Sequence, residues 1–228
     1  MKTFDQVIKA NASSIKKLID FNKGLDKLLP FDFTANNTEL TDNILVNTDL
    51  FSAWVEQKIE MANARYGIGG YNEHRTIYSR SVHFDTGEEP RRLHLGVDIW
   101  APAGTPIYNF YDAKVQSFAN NNNFGDYGAT IILAYNIDGF KFNVLYGHLS
   151  LASLNGLENG KFIAAGEQFA TLGAKEENGY WPPHLHFQVI QDMEGFSGDF
   201  PGVCKFSERE KYLANCPDAN LILAYSFY

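Results

Sequence analysis

In the stretch WPPHLHFQVI, residues 181–190, two imidazoles stand two positions apart, His184 and His186, inside a run that otherwise reads as a buried strand. Side chains at i and i+2 of an extended chain project the same way, so the two rings share one surface. A single histidine there would read as a hydrogen-bonded core residue. Packing alone gives no reason to desolvate two rings together, because each needs partners for both of its nitrogens. The pair therefore points to a metal or proton-transfer site. His94 in HLGVD, with Asp98 four positions on, and His148 in YGHLS add further imidazoles and a carboxylate.

These are the donors a borderline divalent ion prefers. Two imidazoles, one carboxylate and an open position make a zinc site of the kind that activates water. Neutral imidazole binds without cancelling the ion's charge, and one carboxylate cancels only part of it, so the ion stays a useful Lewis acid. Water on such an ion ionises near pH ~7. Remaining imidazoles then move protons or hold a developing oxyanion. Strand alternation allows either His184 or His186 to reach the metal. The same donor set also makes the facial triad of non-haem iron enzymes, but a cupin-like barrel would want Glu four or five residues after the second His, where Ile190 and Gln191 stand.

The elements that would position these residues follow from periodicity. Phe4, Val7 and Ile8, then Ile15, Leu18 and Ile19, then Leu50, Phe51, Trp54 and Val55 recur at spacings of three and four, which predicts helices. The last of these is expected to stop at Tyr66-Gly67-Ile68-Gly69-Gly70. After Gly70 the segments 105–108, 113–118, 129–135 and 141–146 are short and rich in β-branched and aromatic residues, and 161–172 and 183–190 continue the series. Asp138-Gly139 reads as the centre of a tight hairpin. The four asparagines at 120–123 read as an exposed loop. Ser207 and Glu210 have capping-box spacing and predict a helix over about 207–214. The fold class expected is α+β, with a predominantly antiparallel β core of β-sandwich or duplicated-hairpin type, an N-terminal helical extension over 1–66 and a short C-terminal helix.

Composition bounds the function. The chain has 228 residues, 45% of them hydrophobic, enough for one large globular domain or a domain with an appended piece. A net charge of -8 without a basic stripe argues against a nucleic-acid partner; Arg91-Arg92 reads as solvated surface. No segment is long and apolar enough to span a bilayer, and the start MKTFDQVIKANASSIKKLIDFN lacks the apolar core of a secretory leader, so the expected location is cytoplasmic by default. Cys204 and Cys216 then read as reduced thiols, at a spacing that fits no C-x-x-C zinc pair.

HLGVD, then WAPAGTPIY, YGHL and PHLHF, in this order and at these separations, resemble the lysostaphin-type zinc endopeptidases that cut peptide cross-bridges in bacterial cell walls. The resemblance covers roughly residues 71–192, and GGYNEHRTIYSRS at 69–81 is similar to the stretch entering that family's core. It implies a zinc peptidase-like β domain over 67–193, with 194–228 as an extension packing on it. It implies Zn2+ held by His94, Asp98 and His186, and His148 and His184 as the catalytic pair acting on water or the tetrahedral intermediate. The implied substrate is a peptide or a peptidoglycan-derived fragment. The sequence departs from the family pattern in Trp181-Pro182-Pro183 before the H-x-H and in Gln188 where an acidic residue is usual. Tyr180 and Trp181 are expected either to line the groove or simply to pack, and Asn72 or Glu73 could fill the open metal position. The long 1–66 region leaves a second reading, a non-catalytic zinc-containing module that binds peptides or cell-wall fragments.

Overall fold

The structure, a computed structural model, describes residues 2–85 and 87–225. Helix α1 (Phe4–Ala10) begins at a reciprocal Thr3/Gln6 capping box and buries Phe4, Val7 and Ile8. Strand β1 (Leu28–Phe31) follows, then α2 (Asp42–Val46), α3 (Thr48–Met61) and β2 (Tyr66–Gly69). Two 3₁₀ turns, Ile77–Arg80 and Val82–Phe84, lead into β3 (Leu93–His94), β4 (Val97–Trp100) and β5 (Pro106–Tyr108). The long strands β6 (Ala113–Asn121), β7 (Gly128–Ile137) and β8 (Phe140–Leu149) come next, then β9 (Phe162–Ile163), β10 (Gln168–Thr171), β11 (His184–Ile190) and β12 (Val203–Cys204). Helices α4 (Arg209–Asn215) and α5 (Asn220–Leu223) end the described chain.

Eight strands form one sheet in the order β1-β2-β4-β11-β8-β7-β6-β9, in which only β1–β2 is parallel. The fold is α+β around an antiparallel core. Asp138 and Gly139 both have positive φ, 52° and 84°, as a two-residue hairpin turn with the right-handed twist of its strands requires. β11 is buried along its whole length because β4 and β8 flank it and both faces are covered. One face carries a core that includes Ile99, Ile131, Val144 and Phe187. Toward β1 and the N-terminal helices, Phe31, Phe33, Phe51, Trp100 and Trp181 build a second, aromatic core. Among the described residues, no helix is long and apolar enough to cross a membrane.

Several expectations are corrected. Residues 1–66 are not uniformly helical: Ile15, Leu18 and Ile19 lie in an irregular segment whose backbone docks on the β domain, Lys16 N–H donating to Phe110 O and Tyr108 N–H to Leu18 O, both at 2.8 Å. Leu28–Phe31 is a strand, with Pro30 tolerated because β1 is the sheet's edge. Tyr66–Gly69 is a buried strand rather than a helix end, since α3 already stops at Met61. Asn120 and Asn121 belong to β6, where Asn121 Nδ2 donates to Thr130 Oγ1 and Gly198 O. A helix does follow Phe206, but Ser207 spends its hydroxyl on Glu89, and no capping box forms. Arg91 and Arg92 are half-buried: Arg91 donates to His83 O, and Arg92 pairs with Asp85. Both cysteines are free and buried.

Candidate metal centre and its cleft

Cross-strand register assembles the centre. On β11, His186 stands opposite Asp98 of β4 on one side and Gly147 of β8 on the other. His94 arrives on β3, held by the β3–β12 ladder and by its N–H to Glu73 O. Gly96 lets the chain pass beneath the His186 ring, because a Cβ there would stand 2.8 Å from His186 Cε1. Three donor atoms converge as a result. His94 Nε2 is 3.0 Å from His186 Nδ1 and 3.2 Å from Asp98 Oδ1, and His186 Nδ1 is 3.1 Å from Asp98 Oδ1. Donors on a tetrahedral zinc, with bonds of about 2.0–2.1 Å, lie roughly 3.3 Å apart.

Hydrogen bonds behind the centre decide which nitrogen of each ring is free. His94 Nδ1 faces Gly70 O at 2.9 Å, and a carbonyl only accepts, so the proton sits on Nδ1 and Nε2 is a lone pair. Gln188 spends its amide N–H on Pro201 O at 3.1 Å, which leaves its Oε1 to accept from His186 Nε2 at 2.8 Å. His186 Nδ1 is thereby the second lone pair. Two imidazole lone pairs and a carboxylate oxygen then meet with their protons committed elsewhere, and this donor set fits a shared divalent cation.

Arg75, fully buried, anchors the carboxylate. Its Nη1 donates to Asp98 Oδ2 at 2.5 Å, its Nε to Glu73 Oε2 at 2.6 Å, and its Nη2 to the same Gly70 carbonyl that holds His94. Gly69 leaves room for that guanidinium, since a Cβ there would lie 2.6 Å from Nη2. Burial would raise Asp98, but the His94 ring and the Arg75 guanidinium outweigh it and hold Asp98 well below the usual carboxylate range. Desolvation, with Arg75 adding to it, pushes His94 down to about 4, so its ring is neutral at physiological pH. Glu73, engaged with Arg75 and Phe33 N–H, is not among the converging donors, and Asn72 is exposed.

His148 and His184 pack against each other beside the centre at a tilt of 37°, ring centroids 4.1 Å apart. His148 Nδ1 donates to Asn178 O at 2.7 Å and His184 Nδ1 to Pro182 O at 2.8 Å, so each neutral ring keeps Nε2 as its acceptor. His184 also lies flat on Trp100, centroids 4.0 Å apart. His148 has φ 62°, an unusual backbone state for a residue with a Cβ and one that gathers at functional sites. Burial and the neighbouring His184 hold His148 well below its ordinary value, and burial takes His184 to about 4.

All five predicted site residues therefore meet at one cleft of about 200 Å³ that Asp98, His148, His184 and His186 line directly. Trp181 both packs and lines it, while Tyr180 is largely exposed. Sequence reasoning missed Arg75, Gly70 and the carbonyls of Asn178 and Pro182, which no spacing announces. Gln188 was legible in principle, because it follows His184 and His186 on the same face of an alternating strand.

The profile described as Peptidase family M23 matches residues 92–197. An uncharacterized lipoprotein of Escherichia coli (strain K12), YgeR, is 33% identical over 94 residues, 41% of this chain and 33% of that protein. The chain thus spans about a third of the length of that curated relative. Among solved structures, the catalytic domain of the antimicrobial peptidase lysostaphin from Staphylococcus simulans is similar at 24% identity, over 72% of this chain and 98% of that one, with a TM-score of 0.42. A zinc containing peptidase from Vibrio cholerae is similar at 28% identity, over 43% of this chain and 27% of that one, with a TM-score of 0.35.

Proposed function

From the match of residues 92–197 to the profile of Peptidase family M23, we propose that the chain is a zinc-dependent hydrolase cutting peptide bonds of peptidoglycan or related peptides with an activated water. The observation that carries this reading is the convergence of His94 Nε2, Asp98 Oδ1 and His186 Nδ1 as three acceptors 3.0–3.2 Å apart. These three would hold the ion, which when bound supplies the positive charge that acidifies water and polarises a scissile carbonyl. Gly70 O and Gln188 Oε1 keep the two ligand rings in the required tautomer, and Arg75 keeps Asp98 Oδ2 occupied.

His148 enters the reaction neutral, with its Nδ1 proton committed to Asn178 O, and so accepts a proton from the attacking water at Nε2. Once protonated, that nitrogen donates to the departing amine. His184, set by Pro182 O and the Trp100 face, stands beside it with its Nε2 as a second acceptor, so either ring of the pair can take the water's proton and pass it to the departing amine. The buried cleft excludes bulk water from both rings.

Replacement His148→Ala tests this directly. Zinc binding should persist while peptide hydrolysis falls by about 10²–10⁴-fold, the usual contribution of a positioned acid–base; His94→Ala should lose both. Full hydrolysis by the His148→Ala variant overturns the assignment.

A further inference from the structure

We infer that Thr48 and Arg80 are positioning residues for the catalytic pair: together they clamp the Tyr180 carbonyl and so fix the loop whose backbone orients His148 and His184. This rests on the role proposed above for that pair and extends the site into the N-terminal region. Both residues lie outside 92–197, the part that matches the family profile, so the clamp is not implied by that match.

The loop 173–182 sets the tautomer of both rings. His148 Nδ1 donates to Asn178 O at 2.7 Å, and His184 Nδ1 to Pro182 O at 2.8 Å. The Asn178 side chain closes the turn between these two carbonyls, its Oδ1 accepting from Trp181 N–H and its Nδ2 donating to Trp181 O, both at 3.0 Å. Tyr180 stands in the middle with φ 64°, a left-handed state that a residue with a Cβ keeps only when its surroundings impose it. Its N–H is held within the loop, by Lys175 O at 2.9 Å. Its carbonyl is held from outside. Thr48 Oγ1 donates to it at 2.8 Å and Arg80 Nη2 at 3.0 Å, and the same Nη2 donates to Thr48 Oγ1 at 2.9 Å. On the loop's other flank, Gly125 N–H donates to Gly179 O at 2.8 Å and Ala129 N–H to Glu177 O at 3.0 Å.

Arg80 is a costly residue at this place, which argues that its donor is needed. It is only 6% exposed, its Nε and Nη1 have no partner, and burial pushes it down to about 10, so it stays charged at neutral pH. Its guanidinium lies 4.5 Å from the Trp181 ring centre, 5.0 Å from Phe124 and 5.6 Å from Phe51. Aromatic faces favour a cation, but a methionine would fill the same space with no charge to desolvate. What the guanidinium alone adds is the Nη2 bond to Tyr180 O and Thr48. Thr48 in turn opens α3, whose start is fixed by Asn47 Oδ1 accepting from Asp49 N–H at 3.0 Å and Leu50 N–H at 3.2 Å. Further along the helix, Phe51 meets Trp181 and Trp100, ring centroids 6.5 and 6.0 Å away, and Trp100 lies flat on His184. Helix α3 therefore supports the pair twice, through the Tyr180 carbonyl and through the aromatic wall.

The test compares the zinc-loaded full chain with Thr48→Val, Thr48→Ser and a double variant carrying Thr48→Val and Arg80→Met. Glycine- and alanine-rich peptides and purified sacculi serve as substrates, and nitrogen NMR of the imidazole rings reads the tautomers with no substrate present. In the wild type both rings should show Nδ1–H. Thr48→Val should lower kcat on the peptides at least about threefold and the double variant at least about tenfold, with KM within about threefold and zinc retained, because a displaced proton acceptor loses rate and not binding. In both variants His148 or His184 should appear partly in the Nε2–H form. Thr48→Ser, which keeps the hydroxyl, should restore both readouts. Thr48→Val decides alone if the double variant does not fold. Wild-type kcat in Thr48→Val, or a fall in kcat that comes with loss of zinc or with both rings still wholly Nδ1–H, would overturn the inference. A zinc-loaded wild type that hydrolyses neither peptides nor sacculi would instead overturn the peptidase reading, and the ring spectra would then decide the clamp by themselves.

Discussion

Gln188→Leu is the sharpest probe of how the centre is held. The side chain is fully buried on β11, accepting from His186 Nε2 at 2.8 Å and donating to Pro201 O at 3.1 Å. Leucine fills similar space and offers neither group. The substitution leaves a buried ring N–H without a partner and frees a part-buried carbonyl that water can reach, so unfolding free energy should drop by about 1–3 kcal/mol, chiefly from the ring. Removing the partner that orients a ligand should also weaken zinc binding by about 10–100-fold, or roughly 1.4–2.8 kcal/mol. Gln188→Glu separates the two effects. It keeps an acceptor for His186 but sets a second acceptor against Pro201 O, so it should preserve zinc affinity while lowering stability. This also gives a reason for glutamine where the resembling family carries an acid: the C-terminal segment presents a carbonyl that needs a donor. Competition with a chromogenic zinc chelator and urea unfolding measure the two quantities. Wild-type zinc affinity in Gln188→Leu would refute the view that this hydrogen bond selects the His186 tautomer.

Two further outcomes are expected. Gly96→Ala drives a methyl to 2.9 Å from the Phe187 carbonyl oxygen as well as against the His186 ring; it should cost about 1–3 kcal/mol in urea unfolding and weaken zinc retention, and a variant with unchanged stability and affinity would contradict the packing described. In the metal-free protein, burial holds His94 and His184 near 4 and His148 well below its ordinary value, while the unfolded chain takes up these protons near about 6.5. Stability should therefore be full above about pH 6.5 and decline as pH falls toward about 4; urea midpoints that stay flat across that window would contradict it.

The convergence of the candidate site residues was legible in the sequence because they are set by strand alternation and by short motifs. His184 and His186 share a face as i and i+2, and Asp138-Gly139 builds the expected hairpin. The β strands between 105 and 190 were readable from β-branched and aromatic runs. The N-terminal third was misread in part, because spacings of three and four report burial before they report helix. Leu18 and Ile19 are buried, but in an irregular segment that borrows its hydrogen bonds from Phe110 and Tyr108. Leu28–Phe31 was hidden by its brevity and by Pro30. The supporting shell was invisible for a different reason: Arg75, Gly70 and Asn178 act through contacts far apart in the chain, and nothing in local pattern distinguishes a buried arginine from a solvated one.

The account depends most on His94, Asp98 and His186 sharing one cation. Equilibrium dialysis of the full chain against zinc, followed by metal analysis, measures this with no assumption about substrate. One zinc per chain, retained by His148→Ala and lost by His94→Ala and by His186→Ala, is the predicted result. A chain that retains no zinc at saturating concentration, or that retains it equally after His94→Ala, would contradict it.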